Sequence, residues 1–96
     1  MPLDPSLDHT AVVPQHVVHR AFAAETVMLN LQTGRYHGLN PSAGRMLELI
    51  AEKGRLSYVA EELSRIYSRP LAEMQDDLLA FCRDLMSRGL ITLENG

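Results

Sequence analysis

A chain of 96 residues, 46% of them apolar, has the length of one domain and enough hydrophobic side chains for a core of its own. Its formal net charge of −3 weighs against a general nucleic-acid binder, which presents a basic face. The single cysteine, Cys82, excludes an intrachain disulfide and fits a reducing cytoplasm.

Residues 1–15 hold three of the five prolines and two aspartates, and proline fixes φ and lacks a backbone donor, so this stretch reads as an irregular lead-in. MPLDPSLDHT has neither the basic nor the apolar segment of a signal peptide. No apolar run approaches the roughly 18 residues that span a bilayer. The expectation is a cytoplasmic protein with no membrane partner.

HVVHRAF, residues 16–22, can form a strand, although Val17 and Val18 would point to opposite faces. Residues 25–32 alternate more clearly. Val27, Leu29 and Leu31 share one face and Thr26, Met28, Asn30 and Gln32 the other, the period of a half-buried strand. Thr33-Gly34 supplies a turn, and the chain returns as Arg35–Leu39, completing a three-stranded antiparallel meander.

Asn40-Pro41 marks a helix start, with Asn40 as the cap and proline at the first helical position. Ala43, Met46, Leu47 and Ile50 recur at helical spacing, and Gly54 ends that helix. Ser57 is placed to cap a second helix with the stripe Val59, Leu63, Ile66 and Tyr67. Pro70 opens a third, whose seam is Leu71, Met74, Leu78, Phe81 and Leu85, and Gly89 stands in the usual position beyond its end. Leu90–Leu93 reads as a short last strand or an apolar tail folded onto the core. Three strands followed by three helices make an α+β domain over residues 16–93, with a winged-helix-like order.

The chemistry-bearing residues point away from catalysis. His16 and His19 would face opposite ways on a strand, and no CxxC, HExxH or carboxylate cluster accompanies them, so no metal site is expected. Cys82 sits inside a helical apolar pattern beside Phe81 with no base near it in sequence, which reads as a small buried hydrophobe. Neither GxGxxG nor GxxxxGK[ST] occurs, and no cofactor is expected. The helix pair suggests a winged-helix DNA-binding regulator as the alternative function. Its third helix argues against this: Arg83 and Arg88 are outnumbered by Glu73, Asp76, Asp77 and Asp84. Arg35–Leu39 comes last in the meander and leaves an edge that a visiting peptide could pair with, Gly38 allowing close approach.

The segment VMLNLQTGRYHGLNPSAGRMLELI, together with DDLLAFCRDLMSRGLI at residues 76–91, resembles the PqqD-like family of RiPP recognition elements, RiPP meaning ribosomally made, post-translationally modified peptide. The likeness runs over about residues 16–93. It implies a non-catalytic adaptor that binds the leader segment of a precursor peptide as an added strand, in a groove bordered by the third helix. The adaptor then delivers that peptide to a maturation enzyme, a leader peptidase with a cyclase in lasso-peptide pathways or a radical S-adenosylmethionine protein in the pyrroloquinoline quinone pathway. Carried onto this sequence, the peptide-binding residues are Arg35, Tyr36, His37, Gly38 and Leu39 on the strand and Met74, Asp77, Leu78, Phe81 and Cys82 on the helix. Exchange of elements between two copies, giving a homodimer, is open to a small domain with a free edge.

Overall fold

The computed structural model describes residues 4–95. Within them the order is β1 (His9–Val12), β2 (Val17–Ala21), β3 (Thr26–Asn30), β4 (Arg35–Leu39), α1 (Pro41–Lys53), α2 (Leu56–Tyr67), α3 (Leu71–Ser87) and β5 (Thr92–Asn95). The meander β2-β3-β4 is antiparallel throughout, and β1 pairs with β5 in a separate two-stranded sheet. This is the expected α+β order of three strands and three helices, with a terminal ribbon added.

That ribbon corrects the reading of the lead-in, of which residues 1–3 lie outside the described part. His9–Val12 is strand and not irregular chain. Its partner lies 80 to 86 residues away, with His9 opposite Asn95 and Val12 opposite Thr92, so no local pattern announces it. The same segment takes over the capping of α2. Ser57 lies inside the helix and caps nothing, because the helix starts at Leu56 behind Arg55. Arg55 is instead bridged to Thr10, and the Ser57 amide donates to the Leu7 carbonyl at 3.0 Å. A donor left over at a helix start has found main chain in place of a side chain. The chain end resolves as both expectations at once: Leu90 and Ile91 are buried, and the strand follows.

The other boundaries follow their local chemistry. The Asn40 carboxamide oxygen accepts from the Ala43 amide at 2.8 Å with Pro41 first in α1. Gly34, Gly54 and Gly89 all take positive φ, at 72°, 75° and 71°. Met28, Leu47, Ile50, Leu56, Leu63, Leu78, Leu85 and Leu90 form the centre of the core, fully shielded.

The meander meets this core with the face that looks less suitable. A half-buried strand ordinarily turns its apolar side inward, which would bury Val27, Leu29 and Leu31. The structure does the reverse: Thr26, Met28 and Asn30 are buried, Val27 and Leu29 face outward half-covered, and Leu31 is 57% exposed. Since side chains alternate strictly, one residue of register decides the whole set. Asn30 has a task on the inside, its side-chain oxygen accepting from the amides of Gln32 at 2.9 Å and Thr33 at 3.4 Å and so shaping the turn into β4. Thr26 meets α1 at Gly44, where a Cβ would stand 2.5 Å from the threonine hydroxyl oxygen. Helix and strand approach that closely only because residue 44 has no side chain.

Candidate functional site

β4 is bonded to β3 in the register Thr26–Leu39, Val27–Gly38, Met28–His37, Leu29–Tyr36 and Asn30–Arg35. Among the described residues nothing pairs with its far side. The direction of its main-chain groups follows from the rest of the meander. The Phe22 amide donates to the Glu25 carbonyl and the Leu31 amide to the His16 carbonyl, each at 2.7 Å. Residues 25, 27, 29 and 31 therefore turn their N–H and C=O toward β2, and 26, 28 and 30 turn theirs toward β4. On β4 the residues opposite those three, Arg35, His37 and Leu39, spend their main-chain groups on β3. Tyr36 and Gly38 are left presenting theirs to the open edge. The side chains sort the other way: Tyr36 lies on the outer face, and Arg35, His37 and Leu39 lie on the face that α3 borders.

α3 supplies the second wall. Leu78, Cys82 and Leu85 are fully buried and pack into the core, with Met74 3% exposed. Asp77, Phe81, Asp84 and Arg88 follow one another at alternating spacings of four and three, which places them on one flank of the helix. That flank looks at β4: Arg88 Nη1 donates to His37 Nδ1 at 3.4 Å, the one side-chain hydrogen bond between α3 and the meander among the described residues. Arg88 Nε also donates to Asp84 Oδ1 at 3.1 Å. A Cβ at Gly89 would lie 3.5 Å from Asn30 Nδ2, so this end of α3 sits against the turn end of the meander. The opposite end opens into a recess of about 90 Å³ lined by Ser42, Met46, Tyr67, Arg69, Met74 and Asp77.

The residues expected at the site thus divide. Arg35, Tyr36, His37 and Gly38 lie along the open edge, and Asp77 and half-buried Phe81 on the wall. Leu39 and Leu78, 7% and 0% exposed, belong to the core. Cys82 is fully buried in that core, and burial pushes its thiol up to about 12, which makes it a packing residue and no nucleophile at neutral pH. Arg88 was missed as a wall residue. The stripe from Asp77 to Arg88 was available in the spacing, but nothing local said that this flank faces a strand. Among the described residues no cluster of three or more His, Cys, Asp and Glu is arranged to hold a metal, and no helix is long and apolar enough to cross a membrane.

The family described as Coenzyme PQQ synthesis protein D (PqqD) matches residues 25–91, the meander from β3 onward and all three helices. The chain belongs to the PqqD family. Two solved structures share its architecture. One, TbiB1 in complex with the TbiA(beta) leader peptide, superposes with a TM-score of 0.77 at 30% identity, covering 82% of this chain and 92% of that one. The other, lasso peptide synthetase B1 complexed with the leader peptide, has a TM-score of 0.78 at 18% identity over 86% of this chain and 98% of that one, a likeness of fold. Among curated proteins none matches the chain. This PqqD-family domain therefore has the fold of chains captured with leader peptides bound.

Proposed function

We propose that this PqqD-family chain is a non-catalytic adaptor that takes the leader segment of a ribosomally made precursor peptide as a fourth strand on β4 and hands it to a maturation enzyme. The observation that carries the reading is the open edge at Tyr36 and Gly38, on a strand that the flank of α3 reaches through the Arg88–His37 bond. Two donors and two acceptors wait there for a backbone, and strand addition uses such groups for affinity and the neighbouring cleft for side-chain selection. The leader-bound state of TbiB1, at 30% identity, supports the same use of the fold here.

Delivery to an enzyme calls for a surface that the leader does not occupy. The outer face of the meander fits that need. Val18, Leu29 and Tyr36 form a row across the three strands, Phe22 and Val27 flank it, and with His19 and Arg20 these mostly apolar side chains line a shallow depression of about 310 Å³. Tyr36 is 72% and Phe22 59% exposed. An apolar face of this kind, continuous with the peptide-bearing edge, is suited to a leader peptidase or a radical S-adenosylmethionine enzyme that must meet the same peptide. DNA is a poorer partner, because α3 sets Glu73, Asp76, Asp77 and Asp84 against Arg83 and the cap residue Arg88.

Calorimetric titration with the leader of a precursor encoded beside this gene tests the reading. Binding in the micromolar range or tighter, about −8 kcal/mol or stronger, is expected. No heat and no shift in melting temperature with any such leader would overturn it.

A further inference from the structure

The cleft is not evenly charged along its length. At the β4 start stand Arg35, His37 and Arg88. Arg88 shares its guanidinium between Asp84 and the His37 ring, and no carboxylate among the described residues pairs with Arg35. With Asp84 set against two arginines, this end is cationic in a chain whose net charge is −3. At the other end, around Ser42 and Met46, Arg69 is already paired with Glu73, and Asp77 has no cationic partner among the described residues. That end is anionic. The two ends belong to one helix flank, so their separation is fixed by helix geometry.

We propose that the leader recognised by this chain carries a matching pair of charges: a lysine or arginine that meets Asp77 and, four or six residues further on, an aspartate or glutamate that meets Arg88 and Arg35. The proposal rests on leader addition at β4. Eleven positions separate Asp77 from Arg88, roughly 16 Å of α-helix at 1.5 Å per residue. An extended peptide covers that in about five residues at 3.3–3.4 Å each. Side chains that enter the cleft must share one face of the added strand, so the spacing is even, which selects four or six. The order follows from strand direction. Every pairing in the meander is antiparallel, and antiparallel addition is the more stable kind. β4 runs from the Arg88 end toward the Asp77 end, so an antiparallel leader places its earlier residues at Asp77 and its later ones at Arg88.

In this arrangement Arg88 is a specificity residue. Without peptide it reaches His37 at 3.4 Å; a carboxylate between Arg88 and Arg35 replaces that long contact with shorter, charge-assisted hydrogen bonds. The rim position of both charges makes the contribution dependent on salt.

The test uses the full chain and a fluorescent synthetic peptide spanning the leader encoded beside the gene. Its sequence is expected to hold the basic residue before the acidic one at the stated spacing. Changing that acidic residue to its amide should weaken binding about tenfold, as should Arg88→Gln, and the two together should cost little more than either. Asp77→Lys should weaken the natural leader and bind better to one whose basic residue is made acidic. The peptide variants leave the protein untouched, so misfolding cannot imitate the result. A leader that binds with micromolar affinity yet lacks the pair, carries it in the reverse order, or loses less than twofold in these changes overturns the charge assignment alone. A leader that does not bind the unaltered protein removes strand addition as well.

Discussion

Proline at position 38 separates the two sides of β4. Gly38 turns its amide to the open edge, whereas the neighbouring His37 amide is committed to β3. Gly38→Pro therefore deletes a donor that only a visiting strand uses, and its ring stands where the peptide's carbonyl would come. Removing the donor while leaving the peptide carbonyl without a partner costs about 1–3 kcal/mol. A loss of about 2 kcal/mol corresponds to close to a thirtyfold rise in Kd. Folding should suffer little. Gly38 does not have positive φ, its extended neighbour His37 suits a residue before proline, and a Cβ at 38 meets only the end of the exposed Glu25 side chain at 3.3 Å. His37→Pro is the contrasting case, since it breaks the ladder to β3 and should lower the melting temperature first. Fluorescence anisotropy with the leader peptide, beside thermal melts of both variants and of Gly38→Ala as a donor-retaining control, gives the comparison. A folded Gly38→Pro protein that binds as tightly as the control would refute the assignment of the open edge.

Two further outcomes concern the frame around the site. Gly44→Ala forces a methyl to 2.5 Å from the Thr26 hydroxyl, and overpacking of this sort costs about 1–3 kcal/mol, read as a lower denaturant midpoint with unchanged slope. Cys82 should resist a thiol reagent at pH 8 in the native protein and react at once in denaturant, because its folded thiol lies near 12. The unfolded thiol ionises first, so above pH 9 the unfolded state holds fewer protons than the folded one, and stability falls as pH rises toward 12. The loss is about 1.4 kcal/mol per pH unit in that window, is absent below it, and should vanish in Cys82→Ala when pH-dependent melts of the two proteins are compared.

What the sequence made legible was local. Asn40-Pro41, Gly54 and Gly89 mark boundaries through their own backbone preferences, and the i, i+3, i+4 seam of α3 names most of its buried side correctly. β1 stayed hidden because its partner is β5 at the far end of the chain, and Ser57 misled because a carbonyl from Leu7 does the work expected of its hydroxyl. The cleft was half legible for a similar reason. Edge residues 35–38 could be named from position in the meander, but Leu78 and Cys82 share the helix with Asp77 and Phe81, and only the angle at which α3 sits decides which of them face the core. The strand β3 misleads most, since its apolar alternation is real and simply points outward.

That outward choice bears on why the edge is free. A cleft between a helix and a bare strand tends to close if the helix can slide onto the strand, because both sides would gain contact. Here α3 is held from its other sides. Leu78, Cys82 and Leu85 seat it in the core with α2. Its C-terminus turns at Gly89 with the Leu90 amide bonded to the Leu85 carbonyl at 2.9 Å, and Leu90 and Ile91 then anchor in the core before β5 locks to β1. The same lead-in bonds to Ser57 and Arg55 and so ties the start of α2 into the frame. The position of α3 is thus set by the terminal ribbon and the helix pair, without any main-chain help from β4. Buried Asn30 and Thr26 fix the register of the meander against the turn and α1, which keeps β4 from slipping to satisfy its own outer edge. With α3 and the meander each anchored elsewhere, the main-chain groups of Tyr36 and Gly38 remain unpaired at the open edge.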